Sequence, residues 1–310
     1  MEPGDHRAAP SGEQHEIGYG RQRAVVTEVG ATLRSYVVDD RPVLEGFEAG
    51  QMCTGARGQV LAPWPNRLGD GRYSFDDRSA QAPLDEPDRR NAIHGLVRWL
   101  PWHVVSRAQN VVTLSCLLHP QPGYPWSLEL SVRYRLGREG LEVVVEASSP
   151  GGSAAPFGIG FHPYFSVGGA MVDRARLKVP AQRRLVTDDR GLPTSEAPVA
   201  GTELDFTAIR PIGATVLDTS FTGLVRDAGG RAVVEIDLPE ARQRSALWVD
   251  ESFHYLMLYT ADTLESREQR RRSLAIEPMT CPPDALRTGV DLVRLEPGKM
   301  WRGGWGITPH

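Results

Sequence analysis

The sequence has few cysteines and a small net charge. The three cysteines, Cys53, Cys116 and Cys281, are widely spaced and form no CxxC pair, which excludes a disulfide framework and a cysteine metal site and favours a reducing compartment. The net charge of −4 at pH 7 gives no electrostatic reason to expect a nucleic acid or an anionic membrane as partner. A neutral small molecule fits this charge better.

Long apolar runs are absent as well. No stretch approaches the roughly 20 apolar residues of a membrane-spanning helix, and segment 1–16 is polar and charged, without the apolar region of a secretion signal. We therefore expect a cytoplasmic protein. The sequence also has no glycine-rich phosphate loop, no GxSxG or HExxH motif and no internal repeat, so these common signatures suggest no function.

Alternation of apolar and polar residues is frequent. It runs through Leu128–Leu136, stops at the turn residues 137–140 and resumes over 141–147, a pattern that predicts a β-hairpin. Similar short strand signals lie at 24–38, 111–118, 175–179, 232–238, 255–259 and 274–276.

Many short strands without long amphipathic helices predict an all-β protein, a large antiparallel β-sandwich with few short helices. A chain of 310 residues with 40% hydrophobic content can bury one large core. We expect a flexible N-terminal tail over residues 1–15, where proline, glycine and charge are concentrated, and a single domain over residues 16–310.

Two segments present polar side chains in constrained surroundings. Asn66 and Arg67 follow two prolines and a tryptophan that stiffen the backbone, although a turn asparagine and a surface arginine are the commoner interpretation. His94 stands between an isoleucine and a glycine, where a histidine is usually a hydrogen-bonded structural residue.

Two further segments place titratable groups among apolar residues. His162 is surrounded by aromatic residues and glycines, so burial would cost free energy unless it is paired, and both a functional and a structural role are open. Glu277 ends an apolar strand and precedes a proline. Burial there would raise its pKa, as a general base requires.

In this order, the segments resemble the aldose 1-epimerase (mutarotase) family from about residue 17 to residue 308. The matching motifs are the PNR segment, the later HG, the HPYF, the EPMT-x-PPDA and the closing L-x-PG. The resemblance implies a galactose mutarotase-like supersandwich with an open sugar-binding cleft and with neither a metal nor a nucleotide. It also implies interconversion of the α and β anomers of a free aldohexose by acid/base-catalysed ring opening.

The resemblance further implies roles for individual residues. Glu277 corresponds to the base and His162 to the acid, and the two exchange roles on ring closure. Asn66 and Arg67 would hold sugar hydroxyls, and His94 would assist near the ring oxygen. Asp218, in segment 216–224, matches the family's sugar-binding aspartate, and a simple turn aspartate is the alternative.

Two positions depart from the family pattern. Galactose mutarotases usually carry asparagines before the histidine and after the phenylalanine of the motif at His162, and these are absent here, which leaves the sugar unspecified. Cys281 stands where the family commonly has glycine, and we expect it to be tolerated because a small thiol costs little if the backbone does not need a positive φ.

Three alternatives stay open. A hexose-6-phosphate 1-epimerase would need added basic groups, and Arg98 resembles an arginine of that group, as a phosphate ligand or a supporting residue. The PNR segment looks more like the free-sugar branch. A non-catalytic carbohydrate-binding protein would have kept the cleft, but the presence of both His162 and Glu277 counts against it. A purely structural sandwich would not need these clustered polar groups. The sequence allows a monomer or a homodimer.

Overall fold

The computed structural model describes residues 9–310 and consists mainly of β-strands. In chain order the strands are β1 Gln14–Tyr19, β2 Gln22–Thr27, β3 Leu33–Val38, β4 Arg41–Pro42, β5 Val60–Leu61, β6 Arg67–Gly69, β7 Arg72–Phe75, β8 Arg78–Gln81, β9 Asn91–Ile93, β10 His103–Ala108, β11 Val111–Leu118, β12 Leu128–Gly137, β13 Gly140–Ser148, β14 Ala155–Phe157, β15 Gly160–Phe161, β16 Tyr164–Ser166, β17 Arg176–Lys178, β18 Ala181–Thr187, β19 Pro193–Pro198, β20 Arg210–Pro211, β21 Asp218–Leu224, β22 Ala232–Leu238, β23 Gln243–Val249, β24 Tyr255–Tyr259, β25 Ser273–Met279, β26 Val293–Leu295 and β27 Met300–Pro309.

Helices are few and short, as the sequence predicts. The α-helix α1 covers Ala285–Thr288, and single 3₁₀ turns lie at Pro87–Arg89, Val172–Arg174 and Arg267–Gln269. Within residues 9–310, no helix has the length and apolar character needed to cross a membrane.

Two large antiparallel sheets dominate the fold and confirm the predicted all-β class. The nine-stranded sheet has the order β10-β11-β12-β13-β27-β23-β22-β17-β20, and the eight-stranded sheet has the order β19-β18-β21-β24-β25-β15-β5, with β16 also pairing with β25. Apolar side chains of both sheets belong to one large core cluster, with Val132 and Leu247 from the first sheet and Leu256 and Ile276 from the second.

The hairpin predicted at residues 128–147 is present. Strands β12 and β13 pair in a continuous register that ends at Gly137 and Gly140, so only two residues connect them. Gly140 has a φ of +116°, and a Cβ atom there would lie 2.1 Å from the carbonyl oxygen of Ile307. The close approach of β27 therefore requires glycine at the end of this turn.

The strand predicted over residues 24–38 is interrupted. It consists of β2 and β3, which pair with each other through a connection in which Gly30 and Ala31 both have positive φ. The apolar residues on both sides hide this turn, because periodicity alone does not show where a strand reverses direction.

The first strand begins within the segment expected to form the tail. Strand β1 begins at Gln14, and Ser11 and His15 are both buried, so residues 11–15 pack onto the fold. The remainder of that expectation concerns residues 1–8, which lie outside the described part of the chain.

Candidate active site

The central strand of the eight-stranded sheet positions Glu277. All seven residues of β25 are buried, and its side chains alternate between the hydrophobic core, where Leu274 and Ile276 lie, and the opposite face, where Glu277 lies. On that face, Glu277 pairs with Met257 of β24, and Met257 pairs with Ser220 of β21. Paired side chains of antiparallel strands share a face, so these three residues form a row across the sheet.

His162 fills the gap on the other side of Glu277. Strands β15 and β16 pair with β25 at Gly160–Met279 and Tyr164–Ala275, so the chain between them passes beside Glu277. The backbone of His162 is fixed on both sides, because its N–H donates to the carbonyl oxygen of Gln59 at 3.3 Å and its carbonyl accepts from the N–H of Gly58 at 2.8 Å.

The two side chains are in direct contact. Nε2 of His162 lies 3.3 Å from Oε1 of Glu277, and the side chains are only 6% and 2% exposed. The other polar atoms, Nδ1 of His162 and Oε2 of Glu277, are buried without a hydrogen-bond partner within residues 9–310. Such unsatisfied buried atoms are rare in native proteins and are consistent with groups that meet a polar ligand.

Burial shifts the titration of both groups. It raises the pKa of Glu277 well above its usual 4.5, and the nearby Asp218 carboxylate raises it further, whereas Arg67 opposes the shift. Burial also lowers the pKa of His162 from 6.5 to about 3. Since the dry surroundings disfavour a charge on either group, burial favours the state in which the pair holds one proton and both members are neutral.

His94 lies against this pair. Its ring packs edge-on against the ring of His162, with the centroids 5.4 Å apart. The N–H of Asn66 donates to Nδ1 of His94 at 3.2 Å, and the N–H of His94 donates to the carbonyl oxygen of Asn66 at 2.9 Å. Burial lowers the pKa of His94 well below 6.5. A neutral ring that accepts at Nδ1 carries its proton on Nε2, so His94 is a donor at that atom.

Arg67 is held by a carboxylate that the sequence did not reveal. Nε and Nη2 of Arg67 donate to the carboxylate of Glu86 at 3.0 and 3.1 Å, and Asn91 also donates to Glu86 at 2.7 Å. The two-point geometry fixes the plane of the guanidinium. Glu86 lies in an irregular, charged segment without a motif, so no local signal marks it.

Asp284 fixes the backbone around Arg67. Its N–H donates to the carbonyl oxygen of Arg67 at 2.6 Å, and its Oδ1 accepts from the N–H of Gly69 at 2.9 Å. Arg287 pairs with the other carboxylate oxygen. This role was not predicted from the sequence, although Asp284 belongs to the EPMT-x-PPDA motif and could have been singled out there.

Asp218 lies at the exposed edge of the site. It is the first residue of β21, and it lines a cleft of about 170 Å³ together with Asn66, Arg67, Ser220 and Met257. Ser220 and Met257 belong to the row that contains Glu277. The structure thus brings six of the seven candidate site residues together beside the eight-stranded sheet. Their names are Asn66, Arg67, His94, His162, Asp218 and Glu277.

Arg98 and Cys281 have structural environments of their own. Arg98 is paired with Asp85, so its charge is already matched by a carboxylate.

Cys281 is buried, and burial raises the pKa of its thiol to about 12. A Cβ atom at residue 158 would lie 2.3 Å from Sγ of Cys281, so Gly158 provides the space that this thiol occupies.

The fold and the site together define a class of protein: an all-β sandwich with a buried imidazole–carboxylate pair beside an open polar cleft. The model of the aldose 1-epimerase family matches residues 13–308, and the chain therefore belongs to the aldose 1-epimerase family.

Individual proteins show the same relationship. The chain is 32% identical to the uncharacterized protein YihR of Escherichia coli (strain K12) over 293 residues, which cover 94% of this chain and 92% of that protein. The crystal structure of the GalM/aldose epimerase homologue from C. elegans matches with a TM-score of 0.86 and 19% identity over 96% of this chain and 98% of its own. Galactose 1-epimerase from Lactobacillus acidophilus NCFM matches with a TM-score of 0.80 and 20% identity over 100% and 97%. At these identities, the two structures show a shared fold.

Proposed function

We propose that the protein is a cytoplasmic, cofactor-independent aldose 1-epimerase that interconverts the α and β anomers of a free aldohexose. The observation that carries the proposal is the contact between His162 and Glu277, a buried acid–base pair with one unsatisfied polar atom on each partner. An anomer exchange needs a base at the C1 hydroxyl and an acid at the ring oxygen of the same sugar.

In the proposed mechanism, Glu277 takes the proton of the C1 hydroxyl while His162 gives a proton to the ring oxygen. The electron pair of the O–H bond forms the carbonyl of the open-chain aldehyde, and the electron pair of the C1–O5 bond moves to the ring oxygen. Rotation about C1–C2 then presents the other aldehyde face, and the reverse transfers close the ring. The pair contains one proton before and after each step. With the closed ring, His162 is protonated and Glu277 is ionised; with the open-chain aldehyde, the proton is on Glu277 and both groups are neutral, which is the state that burial favours.

The surrounding residues would bind and orient the sugar. His94 offers an Nε2–H beside His162, where it would support the ring oxygen. Arg67, held by Glu86, and Asn66 and Asp218, which line the same cleft, would hold the sugar hydroxyls. Such positioning converts the two proton transfers into a reaction within one complex.

Polarimetry of freshly dissolved α-anomers tests the proposal. We expect the protein to accelerate the mutarotation of at least one of α-galactose, α-glucose and related aldoses, each compared with the uncatalysed reaction. Acceleration restricted to glucose 6-phosphate would favour a hexose-6-phosphate 1-epimerase, although the pairing of Arg98 with Asp85 weighs against Arg98 as the phosphate ligand. Sugar binding without any acceleration would contradict the proposal and favour a carbohydrate-binding protein.

A further inference from the structure

A second cleft adjoins the same face of β25 as the proposed catalytic pair and is not used by the mechanism. It has a volume of about 760 Å³, and its wall includes Cys53, Thr54, Arg57, Ser266, Gln269 and Ser273. Ser273 lies four positions before Glu277 on β25, so both side chains are on the same face of the sheet. Between them, Ala275 packs against Tyr164.

Arg57 is the buried cation of this cleft. It is only 6% exposed, and its Nε has no hydrogen-bond partner within residues 9–310. Its guanidinium lies over the ring of Tyr164, 4.8 Å from the centroid, and forms no ion pair with any described carboxylate. By contrast, the largely buried Arg67, Arg98 and Arg271 are all paired with carboxylates.

An arginine in this setting needs a negative partner. Burying a cation costs free energy unless an opposite charge and hydrogen bonds compensate, and a cation–π contact supplies only part of that compensation. The acidic residues that line the cleft, Glu45 and Glu265, are exposed and form no ion pair with Arg57. The positive charge of Arg57 is therefore free to pair with a negatively charged ligand.

The position of Arg57 is fixed relative to the catalytic pair. The N–H of Gly58 donates to the carbonyl oxygen of His162, and the hydroxyl of Tyr164 donates to the carbonyl oxygen of Gly55 at 3.1 Å. Gly58 has a φ of +74°, and a Cβ atom there would lie 2.2 Å from the carbonyl oxygen of Leu33. The ring of Tyr164 stacks on that of His162, with centroids 4.9 Å apart and planes 8° from parallel.

We propose that Arg57 and the cleft it lines bind an oxyanion, a carboxylate or a phosphate group, next to the catalytic pair. The planar guanidinium matches the geometry of such groups, and the side chains of Thr54, Ser266 and Gln269 place further hydrogen-bond donors on the same wall. The oxyanion comes either from a substituent of the sugar in the catalytic site or from a separate small anion. The first source rests on the proposed function, whereas the second does not.

Isothermal titration calorimetry with inorganic phosphate, without sugar, tests the separate anion. The variant Arg57→Met removes the charge while keeping the side chain's volume, and Arg272→Met removes an equal charge from the exposed edge of the same cleft. If the source is a separate anion, the wild type binds phosphate, Arg57→Met weakens binding about tenfold or more and Arg272→Met changes it less than about threefold. If Arg57→Met fails to fold, Arg57→Lys replaces it, with a smaller loss expected because the charge stays.

Titration and mutarotation of glucose, glucose 6-phosphate and glucuronate test the sugar-borne group. If that is the source, the acidic sugars bind the wild type more tightly or show a lower KM than glucose, and Arg57→Met removes this advantage. The inference is overturned if neither phosphate nor an acidic sugar binds the wild type better than the Arg57 variant. Absence of mutarotation with every sugar would instead contradict the proposed function, and phosphate binding through Arg57 would still stand.

Discussion

Nε2 of His162 and Oε1 of Glu277 lie 3.3 Å apart on one face of the eight-stranded sheet, and both side chains are almost fully shielded from solvent. The contact exists because β15 and β16 pair with β25 on either side of His162, so the histidine passes directly beside the glutamate. Since a solvated pair of these groups would titrate near 4.5 and 6.5, the buried contact has direct consequences for pH dependence and for mutation.

The pH profile should be wider than that of unperturbed side chains. Catalysis by the pair requires that it hold one proton. The lowered pKa of His162 means that a second proton binds only far below pH 6.5, and the raised pKa of Glu277 means that the last proton leaves only well above pH 4.5. We therefore expect kcat/KM to show no change at either pH 4.5 or pH 6.5, the usual pKa values of the two groups. A profile of kcat/KM that follows one ionisation near 6.5 would contradict this.

Much of the fold could be predicted because strand periodicity is local. The strands at 111–118, 232–238 and 255–259 have the predicted bounds, since each combines an apolar pattern with adjacent turn residues. The reversal at Gly30 was missed because apolar residues continue on both sides of it.

The site was only partly predictable. Residues in recognisable motifs were found, whereas the contacts that hold them depend on strand pairing between distant segments. Glu86 reaches Arg67 from an irregular segment, and Arg57 becomes unusual only once its burial and its lack of a carboxylate partner are seen. Neither property can be read from neighbouring residues.

Removing the carboxylate that orients Arg67 should weaken sugar binding. We expect Glu86→Gln to raise KM by about five- to thirtyfold, because Arg67 loses a largely buried two-point partner, and to change kcat less. Glu196→Gln is the matched control, since Glu196 pairs with Arg183 at a half-exposed site and should change KM less than about twofold. Equal KM values for both variants would exclude the positioning role of Glu86.

Asp284 should contribute mainly to stability. Asp284→Ala leaves the buried N–H of Gly69 without its acceptor and Arg287 without its partner, so the free energy of unfolding should fall by about 1–3 kcal/mol. Asp284→Asn keeps an acceptor oxygen and tolerates the positive φ of this residue, so its loss should be smaller. Urea unfolding followed by circular dichroism measures both variants. Alanine and asparagine variants that are both as stable as the wild type would show that these contacts contribute nothing.

Activity should not depend on a metal ion. In the proposed mechanism, the proton transfers use only the side chains of Glu277 and His162. We expect the rate of mutarotation to be unchanged after exhaustive dialysis against EDTA. A loss that added divalent metal restores would require a different mechanism.

The rate of mutarotation by Glu277→Gln, measured by polarimetry on the sugar that the wild type turns over best, tests the central claim most directly. Glutamine keeps the shape of the side chain but cannot accept the proton, so kcat should fall by about 10² to 10⁴. KM should stay within a few-fold, because Asn66, Arg67, His94 and Asp218 are unchanged. Glu235→Gln, at a half-exposed ion pair with Lys178, serves as the control and should retain the wild-type rate. A Glu277→Gln rate within a few-fold of the wild type would contradict the assignment of Glu277 as the base.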